Sequence, residues 1–145
     1  MSKPNLIVMA YSEPWCSAIS RNFPNCRQSW VLSVSDLIDE SHRLHGSAAI
    51  VEIPQNAPDD FFLELSEISN NSFQLQLFAV GDTRLLDWQP VLRAVGVAAW
   101  YWSLLQLPSL VEAIARHHRS VDSVCQPTET KVWSELPWPT AETGG

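Results

Sequence analysis

The sequence predicts an α/β domain with a doubly wound (βα)5 chain path. Five short apolar runs recur along it, at 6–10, 29–34, 48–53, 73–80 and 97–104. After each run comes a segment whose apolar residues recur at helical spacing. Strands that are apolar along most of their length are those covered on both faces, as in a parallel sheet. Right-handed crossovers then favour a five-stranded parallel sheet in order 2-1-3-4-5. In such a sheet a site belongs at the carboxyl ends of the strands, beside the switch point between strands one and three. The residues there are Tyr11, Ser12, Glu13, Glu52, Ala79, Val80 and Ser103.

The first run, Leu6–Ala10, leads into a helix expected over Pro14–Phe23, with Trp15, Ala18, Ile19 and Phe23 inward. Ser12 can cap it and Pro14 suits its first turn. Ser29–Val34 reads as the second strand. Ser35 then reads as the cap of a helix over Asp36–His45, with Leu37, Ile38, Ser41 and Leu44 inward and Gly46 ending it.

Ala48–Ile53 is apolar except for Glu52 and reads as the third strand. The helix after it, Pro58–Ile68, starts with Asp59 and Asp60 and turns Phe61 or Phe62, Leu65 and Ile68 inward. The fourth strand, Phe73–Val80, alternates in its first half, which is expected to place a polar face near a sheet edge. A helix over Leu85–Val95 contains Pro90, so it is kinked or split into two short pieces, and Gly96 closes it. Val97–Leu104 is the fifth strand. Leu107–His118 is the last helix, with Leu110, Val111, Ile114 and His117 inward. The periodicity ends at Ser120. The expected organisation is a folded domain over residues 1–119 and a Pro- and Trp-containing C-terminal tail over 120–145.

Composition excludes several classes. The 145 residues suit one domain, and 46% apolar against 17% charged residues is a globular balance. Nine basic against sixteen acidic side chains leave a net charge of −7, which argues against sequence-independent nucleic-acid binding. No apolar run is long enough to span a bilayer, and Met1–Asn5 leads into too short a run for a signal peptide. Cys16, Cys26 and Cys125 lack CxxC spacing, so neither a disulfide framework nor a zinc site is expected, and reduced thiols in the cytoplasm are the simplest reading. His42 and His45, and the adjacent His117 and His118, have no second cluster at zinc spacing; they read as solvated imidazoles, one of the latter pair near a helix dipole. The first turn, Tyr11-Ser12-Glu13-Pro14-Trp15, is no glycine-rich phosphate loop. Neither a cofactor nor a metal is expected.

Residues 5–119 resemble the receiver domain of bacterial two-component response regulators, a flavodoxin-like fold. Ile7–Pro14 (IVMAYSEP) looks like the family's first strand and its Asp-Asp-Glu-Pro ending. Glu52 falls where the family carries its phosphorylated Asp, and Gly96–Ile114 (GVAAWYWSLLQLPSLVEAI) follows its closing pattern. The resemblance implies a phosphorylation chemistry whose parts are largely replaced here. Tyr11 and Ser12 stand where the Mg²⁺-binding acids would be, while Glu13 survives at a position usually outside the first metal shell. Ala79 stands where a hydroxyl is needed and Ser103 where a Lys is needed, and no lysine occurs between Lys3 and Lys131. Glu13 and Glu52 could still offer two carboxylates to a cation, but a phosphoryl group would have nothing to balance its charge. The expectation is a pseudo-receiver: a non-enzymatic domain acting by protein–protein contact in bacterial signalling or regulation.

Glu52 either projects a charge towards the phosphate position or sits solvated and inert at a strand end, and the second reading is preferred because its partners are missing. Trp100 aligns with the family's switching aromatic. Trp100 and Trp102 share one strand face, which serves either core packing or a contact surface. The resemblance further implies pairing through the helix 4–strand 5–helix 5 face, near Trp88, Trp100 and Trp102, so a homodimer is expected among the protein partners. In the tail, Trp133 and Trp138 lie in a Pro-containing segment that reads as a docking motif or as a cover for an apolar patch. The competing expectation is a flavodoxin-like domain that binds a small molecule, or acts on one, in the strand-end pocket. A pocket lined by Tyr11, Ser12, Glu52 and Ser103 with convergent polar groups favours that alternative.

Overall fold

The computed structural model describes residues 3–44, 47–54, 56–57, 59–71 and 75–125. The tail after Cys125, with Trp133 and Trp138, lies outside the described residues, as do His45, Gly46, Pro58 and Phe73. The elements are β1 (Asn5–Met9), α1 (Glu13–Asn22), β2 (Arg27–Trp30), α2 (Val34–Arg43), β3 (Ala48–Glu52), α3 (Asp59–Asn71), β4 (Gln76–Val80), a 3-10 helix (Thr83–Trp88), α4 (Gln89–Val95), β5 (Val97–Tyr101), a second 3-10 helix (Leu104–Gln106) and α5 (Leu107–Cys125). The five strands form one parallel sheet in the expected order, β2-β1-β3-β4-β5. This is the flavodoxin-like, receiver-like architecture.

Period-two alternation divides the sheet's apolar residues between two cores. Ile7, Ala49, Val51, Leu77 and Ala79 pack on the α2–α3–α4 side, with Leu37, Leu65 and Leu92. Leu6, Val8, Ala48, Ile50, Phe78 and Val80 pack on the other side with Ile19 of α1 and Leu110 and Ile114 of α5. Each fully buried Leu or Ile contributes about 1.5–3 kcal/mol of transfer free energy. Between β4 and β5 the register slips, with Leu77 opposite Val97 but Phe78 opposite Ala99. This bulge changes the phase of β5, so Trp100 joins Val97 on the α4 side while Ala99 and Tyr101 face α5.

Pro90 divides the fourth helical segment as expected, standing in the first turn of α4 after a 3-10 stretch. Gly96 ends α4 in the left-handed conformation, φ 100°, which costs glycine least.

Several boundaries differ from the sequence reading; among them, the fifth strand ends at Tyr101 rather than Leu104, which instead begins a 3-10 helix. The second strand is not 29–34 but Arg27–Trp30, an edge strand half open to solvent that needs little apolar character. Helix α2 accordingly starts earlier, and its cap is Ser33, not Ser35: the Ser33 hydroxyl accepts the Asp36 amide at 3.1 Å, and Val34 and Leu37 become buried. β4 lies between β3 and the edge strand β5, near the edge but not at it; its exposed Gln76 marks the strand's amino end. α5 also continues past Arg119 to Cys125.

The inward placement of His117 holds, but the reading of the adjacent pair as solvated imidazoles is corrected. His117 and His118 are not solvated but buried. Their Nε2 atoms lie 3.1 Å from the Ser47 carbonyl oxygen and 3.0 Å from that of Asn5. A carbonyl only accepts, so each Nε2 donates, fastening α5 to the amino ends of the sheet.

Candidate functional site at the strand ends

β1 and β3 are neighbours, with Met9 opposite Val51, so Glu52 ends its strand beside the turn that enters α1. Its side chain does not run out to solvent. Glu52 is 5% exposed, and its Oε1 accepts from the Tyr11 and Ser12 amides, each at 2.9 Å. The expectation of a solvated, inert residue is therefore corrected. The reason is local: the Ser12 hydroxyl makes no cap bond to α1, and Glu52 supplies an acceptor from across the sheet. A carboxylate on backbone N–H groups near a helix start gains from charge-assisted hydrogen bonding and from the helix dipole.

The surrounding turns are fastened in the same way. The Tyr11 hydroxyl donates to the Ile53 carbonyl at 3.1 Å, and the Trp15 indole N–H to the Gly81 carbonyl at 3.0 Å. Asp82 accepts the Arg84 amide at 2.9 Å and faces the Arg84 guanidinium at 3.8 Å. After β5, Ser103 accepts the Leu105 amide at 3.2 Å, while Gln106 Oε1 accepts the Trp102 and Ser103 amides at 2.8 and 3.2 Å.

Between these turns lies a hollow of about 350 Å³. Tyr11, Ser12, Pro14, Trp15, Glu52, Ile53, Pro54, Gly81, Asp82, Arg84, Leu85, Trp88, Trp102, Ser103 and Leu104 line it. The sequence reading placed Tyr11, Ser12, Glu52 and Ser103 here, and the structure brings these four together. Glu13 is exposed and lines a separate depression along α1. Ala79 is sealed in the core and does not reach the hollow. Trp15, Asp82 and Arg84 were missed as site residues; the Gly81-Asp82-Thr83 turn at a strand's carboxyl end was the signal that could have found the two charges.

Of the tryptophans proposed as a contact surface, Trp88 stacks on Phe62, ring centroids 4.9 Å apart, and lines the hollow. Trp100 packs against the α4-side core with the Arg93 guanidinium 5.7 Å from its ring centroid, and Trp102 packs there and lines the hollow.

The field at this end of the sheet is negative. Burial and then the charges of Glu52 and Asp82 push the Tyr11 phenol upward, with Arg84 opposing. Burial, Glu52 and Glu13 push the Cys16 thiol upward. Even so, the residues do not fit Mg²⁺. Glu52 Oε1 is engaged by two amides, Glu13 is elsewhere and Asp82 is paired with Arg84. Among the described residues no three His, Cys, Asp or Glu gather as a ligand set.

No protein-family model matches the chain, and no curated protein sequence matches it. Its fold is similar to the crystal structure of a protein assigned as a CpaE2 pilus assembly protein from Sinorhizobium meliloti 1021. The TM-score is 0.53 at 16% identity, over 78% of this chain and 98% of that one. This similarity supports the receiver-like fold. Among the described residues no helix is long and apolar enough to cross a membrane.

Proposed function

We propose that this chain is a pseudo-receiver: a non-enzymatic, receiver-like domain that works by protein contact in bacterial signalling or regulation, in the cytoplasm and without a phosphorylation cycle. The observation that carries this reading is the state of Glu52. The residue at the phospho-acceptor position is buried, and one oxygen is held by two backbone amides. Ser103, where the resemblance calls for a lysine, is spent on its own helix cap. Phosphoryl transfer depends on positioned charge, and these substitutions remove it. The fold's similarity to a pilus assembly protein is consistent with a role in protein association. Partners on this reading are proteins, a second copy of the chain among them.

The test is treatment with acetyl phosphate and Mg²⁺ followed by intact-mass measurement. No stable adduct is expected; an acid-labile adduct on Glu52 overturns the reading. The second reading, a small-molecule domain, is favoured by one observation, the hollow where Tyr11, Ser12, Glu52 and Ser103 meet. Against it, the Tyr11 and Ser103 oxygens and one Glu52 oxygen are already bonded within the protein.

A further inference from the structure

Tyr11, Trp15, Trp88 and Trp102 line the strand-end hollow together with Glu52. Oε1 of Glu52 serves the two turn amides, but among the described residues nothing donates to Oε2. No described cation stands within ion-pair distance of this carboxylate. The other two charges in the walls, Asp82 and Arg84, face each other at 3.8 Å, so Glu52 leaves the hollow negative on balance.

A buried carboxylate without a counter-charge is costly, and aromatic rings attract cations through their electron-rich faces. Together they select a compact organic cation. An anion would meet Glu52, and a neutral apolar group would leave Oε2 unpaired. The volume, about 350 Å³, suits one side-chain-sized group. Two exposed leucines indicate the source. Leu104 lines the hollow at 42% exposure, and the next residue in the chain, Leu105, is 91% exposed. A free amine makes no use of these side chains, whereas a protein surface buries them.

We infer that the hollow receives the ammonium or guanidinium end of a Lys or Arg side chain from a partner protein whose surrounding apolar surface packs on Leu104 and Leu105. This inference rests on the protein-contact reading above and names the chemistry of its partner.

The experiment follows the indole N–H signals of Trp15, Trp88 and Trp102 by NMR in the full chain. The probes are a capped five-residue peptide with one arginine among leucines, its citrulline twin and ethylguanidinium. The arginine peptide is expected to give saturable shifts at these indoles. The citrulline twin, alike in shape but neutral, should bind about tenfold or more weakly. Glu52→Gln keeps an oxygen for the two amides and should lose the same factor. Leu105→Ser, at an exposed position, should weaken the peptide but leave ethylguanidinium unchanged, whatever becomes of the Glu52 variant.

Equal binding of the arginine and citrulline peptides overturns the charge argument, and lack of saturation or shifts confined elsewhere overturns the site. Ethylguanidinium binding as tightly as the peptide makes the occupant a free small cation and overturns the assignment to a partner protein. The phosphodonor test is independent of these titrations, so this inference and the pseudo-receiver reading fail separately.

Discussion

Glu52 and Ser12, forty positions apart, are joined by a 2.9 Å hydrogen bond from a turn amide to a strand-end carboxylate, and Tyr11 gives its amide to the same oxygen. The residue at the chemical focus of the fold is thus also a structural tie between β3 and the entry to α1.

That tie has a measurable size. Glu52→Ala leaves both amides without their acceptor in a partly buried turn and should cost about 2–4 kcal/mol in denaturant unfolding. Glu52→Gln, which retains a carbonyl oxygen, should cost about 1 kcal/mol. Equal losses for the two variants would show that the oxygen's hydrogen bonds do not hold the turn.

The strand order was legible because β1, β3 and β4 carry long apolar runs and each intervening helix has an apolar face. The bounds of β2 were not, because an edge strand of Arg27, Gln28 and Ser29 has no apolar signature, and the neighbouring run through Val31 and Val34 drew the boundary forward. The strand-end rule placed four residues in the hollow, but Ala79 and Val80, two and one residues short of Gly81, are sealed in the two cores. Glu52 was found as a position and misread as an environment, since its partners are backbone amides, which leave no trace in side-chain identity. The histidines were misread for the same reason: their acceptors are the carbonyls of Ser47 and Asn5.

Gly96 ends α4 at φ 100°, where a side chain is strained. Gly96→Ala should therefore lower stability by about 1 kcal/mol, and Gly96→Asn by less, because asparagine tolerates the left-handed region. Thermal melts of the three proteins check this order. An alanine variant as stable as the parent would mean that the turn relaxes without strain.

Cys16 is pushed above the ordinary thiol range first by burial, then by Glu52 and Glu13; Cys26 is raised by burial, with Lys3 opposing. Both thiols should alkylate more slowly than a free thiol at mildly alkaline pH, because the thiolate is the reactive form. Glu52→Gln removes one of the charges acting on Cys16 and none acting on Cys26. Iodoacetamide labelling mapped by mass spectrometry should then speed up at Cys16 alone. Equal acceleration at both cysteines would indicate general loosening of the fold instead.

Tyr101 connects the sheet to alkaline stability. It is 7% exposed in the α5-side core, and burial raises its phenol above the ordinary value of 10.0, with Arg116 pulling the other way. The folded state therefore holds this proton more tightly than the unfolded chain does. Below the ordinary phenol value both states are protonated, and the contribution is fully present. As pH rises from there through the raised folded value, the unfolded chain ionises first and stability is lost. Tyr11, also raised, adds a change of the same sign. Tyr101→Phe removes the titrating group while keeping the ring in its core position. Denaturant unfolding measured from neutral pH to above pH 10.0 should show a shallower alkaline decline for Tyr101→Phe than for the parent. Parallel declines would mean that the proton on Tyr101 is held no more tightly in the fold than outside it.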